Sequence, residues 1–457
     1  MKSNGGHRLI QLGLMFIVTS CLGCEHSPST YLPTTAAYTD ATGDDNGVVP
    51  PQPNTATPLP ELKIPLAPPR STSHQATALN CPIRVELQGQ ILPLKLTSRA
   101  NWIVQSGRQT PQVQRAVENL SIKIQNQQLI LGAYGTYALP VEIRYESNHT
   151  NETFELGSRR YHGVLRFVLD AQGTCRIVNE LELETYLVSV IDSEMPAEFG
   201  PEARKAQAIL ARTYALAHIR DKSHASYADL TDGVRHQKYL GASFQDAGGR
   251  WLTAETLAGQ QAVKATTDLV LTYNNKIFVA YYCACCGGHT LDGDEVYRTA
   301  ENCYQGKPDP WCSAYPQFHW KKSFNRSEGY QKILDYLKEN NLPFQNLKGM
   351  SRVTAQSPDK LPAWKISDDI RQLTITAIDL RRCWAVYGLL SPRFKIHLKP
   401  DEIEVEGQGS GHGVGLCQWG ARGMDHAGYK AEDILKFYYQ QVEIRNWKTL
   451  QSPLPQK

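Results

Sequence analysis

The sequence predicts an α+β protein: antiparallel strands with a few helices forming one large cleft-bearing domain, preceded by a signal segment with a lipobox and a disordered linker. Three observations carry this. Residues 81–177 run in short apolar–polar alternations broken by Gly, Asn and Pro, the period turns helical from 183 to about 222, and the later elements lack strict βαβ alternation. No internal repeat is present. At 457 residues, 41% hydrophobic and 20% charged, the chain can bury one large core or two. Its formal charge of +3 is spread evenly, with no basic run interleaved with aromatics, which argues against nucleic acid as a partner.

At the N-terminus, Lys2 and Arg8 precede the apolar run from Leu9 to Val18, too short to span a bilayer and followed by small residues. Residues 1–20 therefore read as a secretory signal peptide. Val18-Thr19-Ser20-Cys21 resembles a bacterial lipobox, in which Cys21 becomes the lipidated first residue. Residues 21–80, rich in Pro and Thr and without apolar period, read as a linker whose reach grows as ~5–6 Å × √n. The expectation is an exported lipoprotein, anchored to a membrane and facing the periplasm or cell envelope.

In the folded part, Ile83-Arg84-Val85-Glu86-Leu87, Leu120-Ser121-Ile122-Lys123-Ile124 and Val164-Leu165-Arg166-Phe167-Val168 alternate with period two and predict antiparallel strands. Residues 81–160 read as an N-terminal β-rich subdomain. Leu183, Tyr186, Leu187, Val190 and Ile191 then share a helical face, and Ser193-Glu194-Met195-Pro196 ends that helix. A second helix starts at Pro201 with Glu202 in its first turn and closes near Arg220 and Lys222, charges that suit the macrodipole. Val270–Tyr273 and Ile277–Tyr281 predict a hairpin through Asn274-Asn275-Lys276. Helical pattern returns at 328–339 and 430–439, strands at 371–378 and 393–405.

Two features carry chemistry. Between Gly407 and Met424, seven glycines surround His412, Gln418 and Trp419, a density that lets backbone approach a ligand closely; the stretch neither ends in Lys-Ser/Thr nor opens a βαβ unit, which disfavours a nucleotide phosphate. Glu194, at a helix end beside Met195 and Ile191, is a carboxyl whose apolar neighbours raise its pKa, as protonation of a leaving glycosidic oxygen requires.

Val178-Asn179-Glu180-Leu181, Glu184, Tyr186-Leu187, Ser193-Glu194-Met195-Pro196, Glu202-Ala203 and Ala211-Arg212-Thr213-Tyr214-Ala215-Leu216, followed by Gln237, Tyr239 and Gly241, by Gly287-Gly288-His289-Thr290 and by the glycine-rich stretch, resemble the motifs of the stage II sporulation protein D family in order. The resemblance spreads over most of residues 81–447 and makes 161–450 the expected catalytic domain. It implies a peptidoglycan lytic transglycosylase that cuts MurNAc-β-1,4-GlcNAc bonds in peptide-stripped glycan strands and leaves 1,6-anhydroMurNAc ends. Glu194 would act as general acid and then base, without a cofactor. An alternative is a non-catalytic glycan-binding modulator of an N-acetylmuramoyl-L-alanine amidase, and the preference for stripped strands itself implies an amidase partner. Planar hydrogen-bonding groups and flat faces for the sugar are expected from Arg212, Tyr214, Gln237, Tyr239, His412, Gln418 and Trp419.

Some relatives bind zinc just before Gln-x-Tyr-x-Gly, but Asp229 to His236 here contain no cysteine. Instead Cys283, Cys285 and Cys286 precede Gly287-Gly288-His289, with Cys303 and Cys312 beyond. Cys283, Cys286 and His289 plus one further cysteine would suit a structural zinc; a Cys303–Cys312 disulfide competes in an exported chain.

Overall fold

The computed structural model describes residues 81–147, 151–195, 198–220, 227–297, 301–342, 344–353 and 360–450. The signal segment, Cys21, the linker and Pro196 lie outside the described residues. The fold is α+β, as the alternating and helical periods predict. Two mainly antiparallel sheets carry the N-terminal half. One, of seven strands, runs in the order Leu230–Thr231, Pro82–Glu86, Cys175–Glu182, Val164–Leu169, Val141–Tyr145, Trp102–Ser106, Gln112–Gln114. The other, of eight, has Leu94–Ser98 and Val117–Gln125 near its middle and Ser243–Gln245 and Trp251–Thr253 at one edge. Both sheets take strands from either side of residue 160. Alternation does the sorting: Val141, Ile143 and Tyr145 point into the core while Glu142 and Arg144 stay partly exposed, and Ile83, Trp102, Ile122 and Phe167 complete the same core.

Helix α1 (Leu183–Glu194) buries Leu183, Tyr186, Leu187, Val190 and Ile191 at the spacing of one face, against that core. Helix α2 (Pro201–Arg220) is buried on nearly all sides. Ala211, Ala215 and Leu216 face the first core, while Ala203, Ala206, Ile209 and Leu210 face a second. Its alanines keep the cylinder thin enough to be a wall shared by two cores.

The second core is built by strand Leu269–Tyr273 paired with Val442–Asn446, by Tyr282–Cys283 lying parallel to Leu416–Cys417, and by helices Gln418–His426 and Ala431–Tyr438. The expected 270–281 hairpin stops at its turn. Asn274 and Asn275 both take positive φ (49° and 61°) and Tyr273 bridges Lys276, but residues 277–280 leave the ladder to bury Phe278 and Ala280, and Val442–Asn446 takes the free edge. Between Cys312 and Gly409 the chain makes a third core of its own, with strands His319–Asn325, Phe394–Leu398 and Glu402–Gln408, helix Arg326–Glu339 and the buried Trp320, Trp364 and Trp384.

Candidate functional site around Glu194

Glu194 is the last residue of α1, where the helix stops and the chain turns toward α2. Its Oε1 accepts a hydrogen bond from the backbone N–H of Lys238 at 2.7 Å. That amide is aimed by residues on either side of it. Gln237 is fully buried, with its Oε1 accepting from the Tyr186 hydroxyl (3.2 Å) and its Nε2 donating to the Ala211 carbonyl (3.3 Å). The buried Tyr239 hydroxyl donates to Asn179 (2.7 Å), and Ser189 donates to the Gly241 carbonyl (2.7 Å). In an extended segment alternate side chains point one way, so Gln237 and Tyr239 go inward and tie down the strip that presents the Lys238 amide. Both are buried and bonded internally, unlike the sugar-facing position expected of them.

Arg212 is likewise internal. It is fully buried, forks onto Glu184 with two contacts of 2.7 Å, and donates to the Leu269 carbonyl at 2.9 Å. Its charge is spent on joining α1 to α2 and to strand Leu269–Tyr273.

Across from α1, the strands Tyr282–Cys283 and Leu416–Cys417 run side by side and deliver Tyr282 and Gln418 toward Glu194. Burial raises the Glu194 carboxyl above its ordinary range, while the Lys238 amide, Gln418 and Tyr282 pull in the opposite direction and leave burial ahead. The carboxyl is crowded by protein yet keeps part of its surface open. The Tyr282 hydroxyl and Gln418 Nε2 are buried and have no hydrogen-bond partner of good geometry among the described residues. Leaving such groups unpaired costs roughly 1–3 kcal/mol each, which is reasonable where a substrate completes the bonding.

His412 reaches this wall through Tyr282. Its Nε2 lies 2.8 Å from the Tyr282 carbonyl, and its Nδ1 accepts the Val414 N–H at 3.1 Å, which assigns the proton to Nε2. Burial pushes the imidazole down to about 4, so it is neutral at physiological pH. His412 thus contacts Glu194 only at one remove, by fixing the backbone of Tyr282. Around it, Tyr281 and Tyr297 stack with centroids 4.0 Å apart, His412 presents an edge to both, and Tyr214 lies near Tyr281, Tyr297 and Glu194. Tyr214 therefore stays on the Glu194 side of α2, while its ring stacks on His218. Trp419 remains partly exposed in the first turn of helix Gln418–His426, flanked by Phe199, Tyr315 and the Arg422 guanidinium. Tyr281, Tyr282 and Tyr297 were not anticipated from the sequence; the tyrosine pair just before the cysteine cluster is the signal that was there to find.

The glycines serve a different close approach from the one expected. A Cβ at Gly409 (φ +79°) would lie 2.6 Å from the Cys285 carbonyl, and one at Gly415 (φ +69°) 2.0 Å from the Tyr281 carbonyl. What they admit is the protein's own 281–287 segment, and this sets Tyr282 beside Leu416, with Gln418 two residues on at the start of a helix. The glycine-rich stretch also ends sooner than its composition suggests, because Gln418 to His426 is helical. Of the residues expected to hold zinc, only Cys286 lies in a cluster of ligand type; Cys283 packs on Gly411, and His289 Nδ1 lies 2.6 Å from the Thr290 carbonyl. Cys303 and Cys312 are not bridged.

Residues 171–273 match the family model described as SpoIID, stage II sporulation protein. The chain is 30% identical to stage II sporulation protein D of Bacillus subtilis over 271 residues, 58% of this chain and 75% of that protein. It is 28% identical to an uncharacterised protein of Brachyspira hyodysenteriae over 79% of this chain and 92% of that one. Similarity to the amidase enhancer of Bacillus subtilis is 26% over 70% of this chain, and it spans about half (49%) of that relative's length.

Proposed function

The chain belongs to the stage II sporulation protein D family, and on that premise we propose that it acts on the bacterial cell wall as a peptidoglycan lytic transglycosylase centred on Glu194. The observation that carries this reading is a single partly open carboxyl, raised by burial, facing an unsatisfied amide and hydroxyl. Protonated, Glu194 gives its proton to the oxygen bridging MurNAc and GlcNAc. As the bond breaks, the carboxylate so formed accepts the Lys238 N–H and takes the proton of the MurNAc C6 hydroxyl, which closes on C1 as the 1,6-anhydro ring. Atoms balance without water, and one carboxyl suffices. Two neighbouring acids are committed elsewhere: Asp192 pairs with Arg204 at 2.7 Å, and Glu202 bonds Lys205 and the Ala431 amide. A hydrolase of the two-carboxylate kind has less support for that reason. Tyr282, Gln418, Tyr214 and Trp419 are the residues proposed to meet the glycan. Export and lipid attachment at Cys21 complete the proposal, the linker carrying the domain to the wall.

The similarity to an amidase enhancer favours one second reading, a glycan-binding modulator of an amidase using the same wall. Digestion of amidase-treated peptidoglycan, read by mass spectrometry for 1,6-anhydroMurNAc ends, separates the two. The enzyme yields them, loses roughly 10²–10⁴-fold in rate on Glu194→Gln, and slows as pH rises through the raised Glu194 pKa. Binding without anhydro ends in the wild type, with amidase turnover increased, establishes the modulator instead.

A further inference from the structure

Behind the wall that carries Tyr282 and Gln418 lies a second cluster that the chemistry at Glu194 does not use. The Sγ atoms of Cys286, Cys312 and Cys417 and a carboxylate oxygen of Asp309 all lie within 4.8 Å of one another, and all four residues are buried. Cys286 and Cys312 Sγ are 3.7 Å apart, and Cys286 Sγ is 3.2 Å from Asp309 Oδ2. Four ligands around zinc at about 2.3 Å for sulfur and 2.0–2.2 Å for oxygen subtend edges of roughly 3.5–3.8 Å, so the cluster is already near that tetrahedron. Backbone N–H groups already point at two of the sulfurs. Cys417 Sγ accepts the N–H groups of Cys286 and Gly420, each at 3.3 Å, and Cys312 Sγ accepts that of Gly288 at 3.3 Å. Asp309 receives the Tyr438 hydroxyl at 2.9 Å and the Trp311 N–H at 3.0 Å, and no Lys, Arg or His pairs with it among the described residues. A buried carboxylate beside three sulfurs, with Asp309, Cys312 and Cys417 oriented by outer donors, suits a cation of its own.

We propose that Cys286, Cys312, Cys417 and Asp309 bind one zinc ion as a closed structural site. With four protein ligands and no exposed edge, it has no position for a reacting water. Its place in the fold gives it a task. Cys312 precedes the inserted third core and Cys417 follows it; Cys417 lies in the strand pair that carries Tyr282, immediately before Gln418, and Cys286 lies three residues beyond that pair. One ion would fasten both ends of the insertion to the wall of the candidate site. The inference stands apart from the reaction assigned to Glu194 and survives if that assignment fails.

The test is elemental analysis of the full chain purified in detergent, with parallel alkylation of the denatured protein to count reduced thiols. About one zinc per chain is expected, with Cys286, Cys312 and Cys417 alkylated. Cobalt exchanged into the wild type should give the ligand-field and thiolate charge-transfer bands of a tetrahedral S₃O site, which requires no variant to fold. Asp309→Asn should release zinc far more readily to a chelator, whereas Cys285→Ser, which removes a thiol lying against Cys312 and Cys417 and competing for the fourth position, should hold it. Metal-free protein with any two of the three cysteines joined in a disulfide overturns the proposal. So does zinc retained by Asp309→Asn but lost from Cys285→Ser.

Discussion

Replacing His412 with glutamine tests how the glycine-rich segment supports the site. In the folded chain the imidazole takes its proton only at about 4, against 6.5 when unfolded, because burial disfavours the cation and Nδ1 must accept from Val414. Between those values the unfolded state binds more protons, so stability is intact above pH 6.5 and is lost as pH falls toward 4. A gap of that size corresponds to about 3 kcal/mol at 1.36 kcal/mol per unit. The introduced side-chain amide would retain a donor for the Tyr282 carbonyl but has no titration in that range. Urea unfolding of wild type and His412→Gln at pH 7.5 and pH 4 gives the double difference, in which the other titrating groups cancel. The wild type should lose about 3 kcal/mol more than the variant over that interval. Equal losses would refute the neutral, internally bonded histidine, and a variant more acid-sensitive than wild type would reverse the sign.

Tyr282→Phe removes a buried hydroxyl that lacks a partner, so chemical denaturation should show stability unchanged or raised by about 1 kcal/mol, while glycan binding measured by pull-down on stripped strands falls. Arg212→Ala removes the buried guanidinium that joins α1 to α2 and leaves the partly exposed Glu184 to solvent; it should cost about 1.5–3 kcal/mol in unfolding free energy, with glycan affinity per folded molecule unchanged. Gly415→Ala places a Cβ against the Tyr281 carbonyl at positive φ and should destabilise by more than about 1 kcal/mol, lowering Tm and glycan binding together because Tyr282 is displaced.

Local signals in this chain were legible and reliable. Period-two runs became strands, the apolar stripe from Leu183 to Ile191 became α1, and the Pro201 start with acid first and base last became α2. The position of Glu194 at a helix end followed from the same stretch. Each depends on residues a few places apart, where backbone geometry translates spacing directly into direction. Motif resemblance added the family, though not the separate jobs of the side chains it singled out.

Those jobs depend on contacts between distant residues, and here the sequence misdirected. Gln237, Tyr239 and Arg212 are polar and suit a sugar in isolation, yet each is itself buried and meets a partner in another element, Tyr186, Asn179 and Glu184, and becomes framework. The hairpin at 270–281 failed because the far C-terminal strand supplied a better edge. Cysteine spacing suggested Cys283, Cys286 and His289, but only the folded chain brings Cys286, Asp309, Cys312 and Cys417 together across more than a hundred residues. Residue order sufficed for the α+β class, the helix carrying Glu194 and the glycine density of residues 407–424. What those glycines approach, and which polar groups stay unpaired, emerged from the packed chain, because burial and partnership have no spacing in sequence.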